Sequence, residues 1–102
     1  MLQIISMKQL EAELMRGTVM TLLDVRSSEE YQKGAIRGAV NISEDELGYR
    51  MREIDKTRPV FVYCAHGSSS LRAARLLDES GYHAKSCAGG LASYRGRFFE
   101  VR

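Results

Sequence analysis

The stretch VFVYCAHGSSSLRAARLL, residues 60–77, limits what this chain can fold into more than any other segment. Val60 to Tyr63 form an unbroken apolar run, the pattern of a short strand covered on both faces. Cys64 ends the run, and a turn of small residues follows, Gly67 with Ser68, Ser69 and Ser70. Leu71, Ala74, Leu76 and Leu77 then supply the apolar positions of a helix. A buried strand turning tightly into a helix belongs to a parallel crossover, and parallel sheets need helical cover.

The rest of the chain repeats the theme. Met20–Val25 is nearly continuous in apolar residues, and shorter runs lie at Leu2–Ile5, Ala39–Ile42 and His83–Cys87. Ser6 with Gln9, Ser27 with Glu30, and Ser43 with Glu46 have capping-box spacing and mark three helix starts. The first helix is predicted from Met7 to Arg16, burying Met7, Leu10 and Leu14 and stopping at Gly17. The single proline, Pro59, stands at a strand entrance. Strands alternating with helices predict a three-layer α/β domain.

Composition narrows the function classes. At 102 residues, 44% hydrophobic and 27% charged, the chain is expected to be one domain over residues 1–102. A net charge of +2 with scattered Lys and Arg argues against a nucleic-acid partner. No apolar run approaches the ~20 residues of a membrane span, so no membrane partner is expected. The segment MLQIISMKQLEAEL has neither the basic nor the apolar region of a secretory signal. Two cysteines cannot build a disulfide framework, so a cytoplasmic location is expected. Cys64, Cys87, His66 and His83 match no zinc-ligand spacing, so no metal site is expected.

Ligands of open parallel sheets bind beyond the carboxyl ends of the strands. Cys64, Asp24 with Arg26, and Cys87 all fall at such ends, which gathers thiol and polar groups on one edge. The turn after Cys64 leaves main-chain N–H groups uncovered, and the positive end of the next helix faces the thiol. Both effects favour the thiolate, so the expected direction for Cys64 is a lowered pKa. The same cradle suits an anion held on, or attacked by, the sulfur. A free cysteine is often no more than a small buried hydrophobe. The conjunction of strand end, glycine turn and helix start points instead to a nucleophile.

The segments LLDVRSSEEYQKGAIRGAVNIS, VFVYCAHGSSSLRAARLLDESGY and CAGGLASYRG, in this order and spacing, resemble the rhodanese (sulfurtransferase) homology domain of the small single-domain type. The likeness runs from the helix at 7–16 to Tyr94. It rests on D-V-R followed by E-Y-x-x-G, on G-A-x-N-I, on Gly67 three residues after Cys64, and on the Gly89-Gly90 pair. The resemblance implies a rhodanese-like fold with a mostly parallel five-stranded sheet flanked by helices on both faces. It implies that Cys64 accepts a sulfane sulfur from thiosulfate or a persulfide. The outer sulfur then passes to cyanide or a thiol, with no cofactor. The loop residues Ala65, His66, Gly67, Ser68, Ser69 and Ser70 are implied to hold the persulfide through their amides. The implied partners are small sulfur donors and acceptors, or a sulfur-relay protein.

Departures from the family pattern shape further expectations. A common loop reads C-x-x-G-x-R-S, and Ser69 stands where that arginine would be. Weak thiosulfate activity, or a persulfide donor, is therefore expected, and Ser69→Arg is expected to raise thiosulfate turnover. The family's H-I-P-G segment is Ala35-Ile36-Arg37-Gly38 here, and Tyr94 stands where tryptophan is frequent. Accessory candidates are Asp24, Arg26, Arg37, Arg72 and Cys87. An Arg26–Glu30 ion pair and a turn hydrogen bond on Asp24 are expected. Arg37 and Arg72 are either charge donors at the mouth or surface arginines. Cys87 is either a resolving thiol for a neighbouring persulfide or a buried small residue. His66 is expected to face solvent.

Two rival readings remain open. One is a binding or regulatory domain that keeps the fold without turnover. The other is a phosphatase or arsenate reductase of the C-x5-R type, in which Ser70 would occupy the arginine position.

Overall fold

The computed structural model describes residues 2–102. In it the five apolar runs form one sheet, all of whose strand pairs are parallel. The elements follow as β1 (Gln3–Ser6), α1 (Met7–Met15), β2 (Thr21–Asp24), α2 (Ser28–Lys33), β3 (Gly34–Ile36) and β4 (Val40–Asn41). After them come α3 (Glu44–Arg50), β5 (Val60–Tyr63), α4 (Ser68–Glu79), β6 (Ala84–Ala88) and β7 (Phe99–Val101). The sheet order is β1-β6-β5-β2-β4, with β5 at its centre. Leu23 stands beside Val62, and Val62 beside Ser86.

Alternation along β5 divides the core. Val60 and Val62 pack with Leu23, Leu47 of α3, and Ala73, Ala74 and Leu77 of α4. Phe61 and Tyr63 pack on the other face with Leu22, and with Met7 and Leu10 of α1. Each fully buried side chain of this size contributes roughly 1.5–3 kcal/mol. Polar residues on either face of β5 would therefore destabilise one layer or the other. This is the three-layer α/β architecture that the run at 60–63 requires.

The helix starts follow the serines. Ser6 closes a full capping box on α1: Gln9 N–H donates to Ser6 Oγ at 3.0 Å, and Ser6 N–H to Gln9 Oε1 at 2.7 Å. Ser27 accepts the Glu30 amide at 3.1 Å. Ser43 opens α3 without a side-chain cap, and its carbonyl takes the Glu46 amide instead. Three acidic residues fill the first turn of α3, where the helix dipole favours them.

One feature had no counterpart in the sequence pattern. β3 and β7 pair antiparallel in a separate two-stranded sheet, with Ile36 beside Phe99. Each is three residues long, too short to show a period, and the pairing exists only because the fold brings distant segments together. Among the described residues no helix is long and apolar enough to cross a membrane.

Candidate active site

Cys64 lies where β5 runs out, one residue past Tyr63. The residue is 3% exposed and belongs to the core cluster of Val25, Val62 and Ala73. It also forms part of the floor of an open pocket of about 370 Å³. The Gly67 amide donates to Cys64 Sγ at 2.9 Å.

The loop reaches this geometry because Gly67 adopts φ +116°, a conformation that side chains other than glycine's resist. A Cβ on Gly67 would also stand 2.9 Å from the Gly89 nitrogen. Gly67 caps α4, whose first amides, at Ser68, Ser69 and Ser70, have no intrahelical acceptor. The loop is tied to the segment after β6 by Leu91 N–H to Cys64 O and Ala92 N–H to Ala65 O, both at 2.9 Å. The Gly89-Gly90 turn makes that approach sterically open.

The loop residues divide by placement. Ala65 and Ser69 line the pocket with Cys64. His66 and Ser68 are exposed. Ser70 turns inward and is fully buried. Its hydroxyl donates to the Gly67 carbonyl at 2.9 Å and lies 3.2 Å from Ser86 Oγ. It therefore braces the turn from behind.

The accessory candidates scatter. Asp24 is fully buried and does accept the Arg26 amide, at 2.9 Å. The expected Arg26–Glu30 ion pair is not what forms. Arg26 folds back on Asp24, with Nη2 at 2.7 Å from Oδ2, and also donates to the Gly34 carbonyl at 2.6 Å. A buried carboxylate needs a cation more than an exposed glutamate does, so Asp24 takes the guanidinium. Arg37 is exposed, paired with Glu100 at 2.8 Å, and is not among the residues lining the Cys64 pocket.

Arg72 is exposed and does not line the Cys64 pocket; it is held by Glu44 at 2.7 and 3.1 Å, and it donates to Ser69 Oγ at 3.2 Å. The Arg72 hydrogen bond is the main reason the Glu44 carboxyl is pulled below its ordinary range. Cys87 sits on β6, next to β5, which meets the condition for a resolving thiol. The two thiols nevertheless pack on opposite faces of the sheet, Cys87 against Phe61, Tyr63 and Leu10. Burial, with a smaller part from nearby Cys64, pushes the Cys87 thiol up to about 12.

Two features around Cys64 escaped the sequence reading. One is the acidic rim: Glu30, Glu44, Asp45 and Glu46 all line the Cys64 pocket. The S-E-D-E run at 43–46 signalled a helix start, and nothing local says that α3 opens beside Cys64. The other is the Tyr63 hydroxyl, which receives the Ile36 amide at 3.2 Å inside the core. Burial first, and then the Asp24 carboxylate, hold that hydroxyl in its neutral form. A tyrosine closing a buried strand needs a partner for its polar tip, which was the available signal.

Comparison with known proteins matches this fold and sequence. The family model for the Rhodanese-like domain covers residues 6–97. The chain is 34% identical over 74 residues to the thiosulfate sulfurtransferase GlpE of Shewanella oneidensis, a match covering 72% of this chain and 73% of that protein. It is 38% identical over 81 residues to a tRNA sulfurtransferase of Desulfurococcus amylolyticus, a match covering 79% of this chain and 16% of that protein. The crystal structure of a rhodanese-like domain protein from Staphylococcus aureus has the same fold. Its TM-score is 0.89 at 24% identity, with 98% of each chain covered.

Proposed function

Because this chain belongs to the rhodanese-like domain family, we propose that it is a sulfurtransferase working through a persulfide on Cys64. A donor, thiosulfate or another persulfide, delivers a sulfane sulfur to the Cys64 thiolate. The outer sulfur is then taken by a thiophilic acceptor, cyanide or a thiol. The observation that carries this reading is the Gly67 amide on Cys64 Sγ at the floor of an open pocket. An amide donor there can follow the negative charge as it moves between the inner and outer sulfur. The work divides into two displacements at sulfur: the Cys64 thiolate takes the sulfane sulfur as the donor's remainder leaves, and the acceptor, through its carbon in cyanide or its sulfur in a thiol, then takes the outer sulfur as Cys64 thiolate leaves.

The buried, sheltered position of Cys64 supports the reading further. It limits side reactions of the persulfide, while the mouth stays open to a small molecule. Ser69 in place of a loop arginine favours a donor other than a dianion such as thiosulfate.

Intact-protein mass spectrometry after exposure to inorganic polysulfide tests the proposal. The expected result is one added sulfur atom on Cys64, removed by cyanide as thiocyanate and absent in Cys64→Ala. A Cys64 that takes up no sulfur from polysulfide, thiosulfate or glutathione persulfide, in folded protein, refutes it and leaves a binding domain.

A further inference from the structure

The rim of the Cys64 pocket carries a charge pattern that bears on its substrate. Glu30, Glu44, Asp45 and Glu46 line it, and Arg26 is the one cation among the lining residues. Arg26 is already committed to buried Asp24 and to the Gly34 carbonyl. The nearby Arg72 interacts electrostatically with Cys64, but Glu44 occupies its guanidinium through two hydrogen bonds. Ser69 completes that cluster from the pocket wall. Glu46 is shared with Arg50, whose other partner is Glu53, a further carboxylate. An arriving oxyanion therefore meets carboxylates along the pocket, and the three guanidiniums nearby, Arg26, Arg72 and Arg50, all have partners to give up. A ligand bearing a positive charge meets an excess of carboxylates, since Arg72 and Arg50 pair with Glu44 and Glu46 while Glu30 and Asp45 also line the pocket.

Resting on the persulfide reading above, we propose that the acceptor is a low-molecular-weight aminothiol, with an ammonium close to its sulfur and no compensating carboxylate. The pocket, about 370 Å³ and open, admits a molecule of that size together with the water around its ammonium. The thiolate of the acceptor attacks the outer sulfur of the Cys64 persulfide. A new S–S bond forms to the acceptor, the bond to Cys64 breaks, and its electron pair returns to Cys64 Sγ as thiolate. The acceptor leaves as a persulfide, with no outside oxidant or reductant. Its ammonium group rests against Asp45, beside the Glu46 carboxylate shared with Arg50, while Glu44 keeps Arg72 from opposing it.

The test loads Cys64 with one sulfur from polysulfide and follows its loss to cysteamine, 2-mercaptoethanol and 3-mercaptopropionate, with rates expressed per thiolate. At about 0.01 M salt, cysteamine is expected to outrun 3-mercaptopropionate by about tenfold or more, with the neutral thiol between. Intrinsic reactivity works against this order, because an ammonium lowers its own thiol's pKa and with it the nucleophilicity. At about 1 M salt, where the Debye length is ~3 Å, the rates should converge. Asp45→Asn with Glu46→Gln should narrow the ratio, and Glu44→Gln should narrow it further by releasing Arg72.

Equal rates at low salt, or an anionic thiol in front, would overturn the proposal. A protein that never takes up sulfur fails the functional reading instead, and charge selection is then read on the free thiol. Aminoethyl methanethiosulfonate should modify Cys64 about tenfold faster than the sulfonatoethyl reagent, each normalised to its rate with 2-mercaptoethanol. Parity between the two reagents would refute the charge assignment by itself.

Discussion

Gly90 is the position at which the cysteine loop is most exposed to a one-carbon change. It adopts φ +58°, ψ −162°, a region essentially closed to residues with a Cβ. A methyl there would meet the Ala65 carbonyl carbon at 2.6 Å, with the Cys64 carbonyl oxygen nearer still. The backbone conformation alone costs about 1–3 kcal/mol. Relief by moving the loop breaks Leu91 N–H to Cys64 O and Ala92 N–H to Ala65 O, at about 1 kcal/mol each.

Gly90→Ala should therefore lose about 3–5 kcal/mol, a large share of the ~5–15 kcal/mol typical of a domain. For a chain of this length that lowers Tm by about 15–30 °C. Urea titration and thermal melting measure the loss. Sulfur transfer assayed well below the new Tm should also fall, by about tenfold, since the carbonyls that move flank the nucleophile. Gly48→Ala is the control. Gly48 lies in α3 with open space where its Cβ would go, so the same change should stabilise by about 0.5–1 kcal/mol. A Gly90→Ala protein melting within about 3 °C of the parent would refute the steric argument.

Cys87, with its thiol pushed up to about 12, should stay unlabelled by iodoacetamide at neutral pH in folded protein, and Cys87→Ala should keep full sulfur transfer; peptide mapping and the transfer assay check both. Tyr63→Phe strands the buried Ile36 amide and should destabilise by about 1–3 kcal/mol, read by urea titration, with transfer rates unchanged. Arg26→Ala leaves the fully buried Asp24 without its cation and should destabilise by about 3–5 kcal/mol; stability comparable to the parent would contradict the pairing. Glu44 has a lowered folded-state pKa, so its pairing stabilises above the unfolded carboxylate value and is lost as pH falls through the folded one. Glu44→Gln should remove that part of the acid transition while changing stability at neutral pH by under about 1 kcal/mol, because the pair is largely exposed.

The legibility of this chain followed the range of the interactions involved. Capping at Ser6 and Ser27, the apolar strand at 60–63 and the glycine turn at 67 are set within a few residues, and their patterns are written out in order. They were enough for the layered architecture and for placing a thiol at a strand end beside a helix start. The Arg26 partner was misjudged because the choice between Asp24 and Glu30 depends on which carboxylate is buried, and burial is set by the whole core. The β3–β7 pair escaped for a similar reason, since its hydrogen bonds join segments more than sixty residues apart.

What the sequence determined by itself was the order of the main sheet's strands and their helices and the place of Cys64 at a strand end before a glycine turn, because period and turn chemistry act locally. What only the tertiary structure decided was the company Cys64 keeps. Alternation in β5 and β6 put the two thiols on opposite faces of the sheet. The crossover from β4 to β5 set the acidic start of α3 against the Cys64 pocket, where Glu44 neutralises Arg72. Electrostatic partners are chosen by distance in space, and distance in space is fixed only when the layers close.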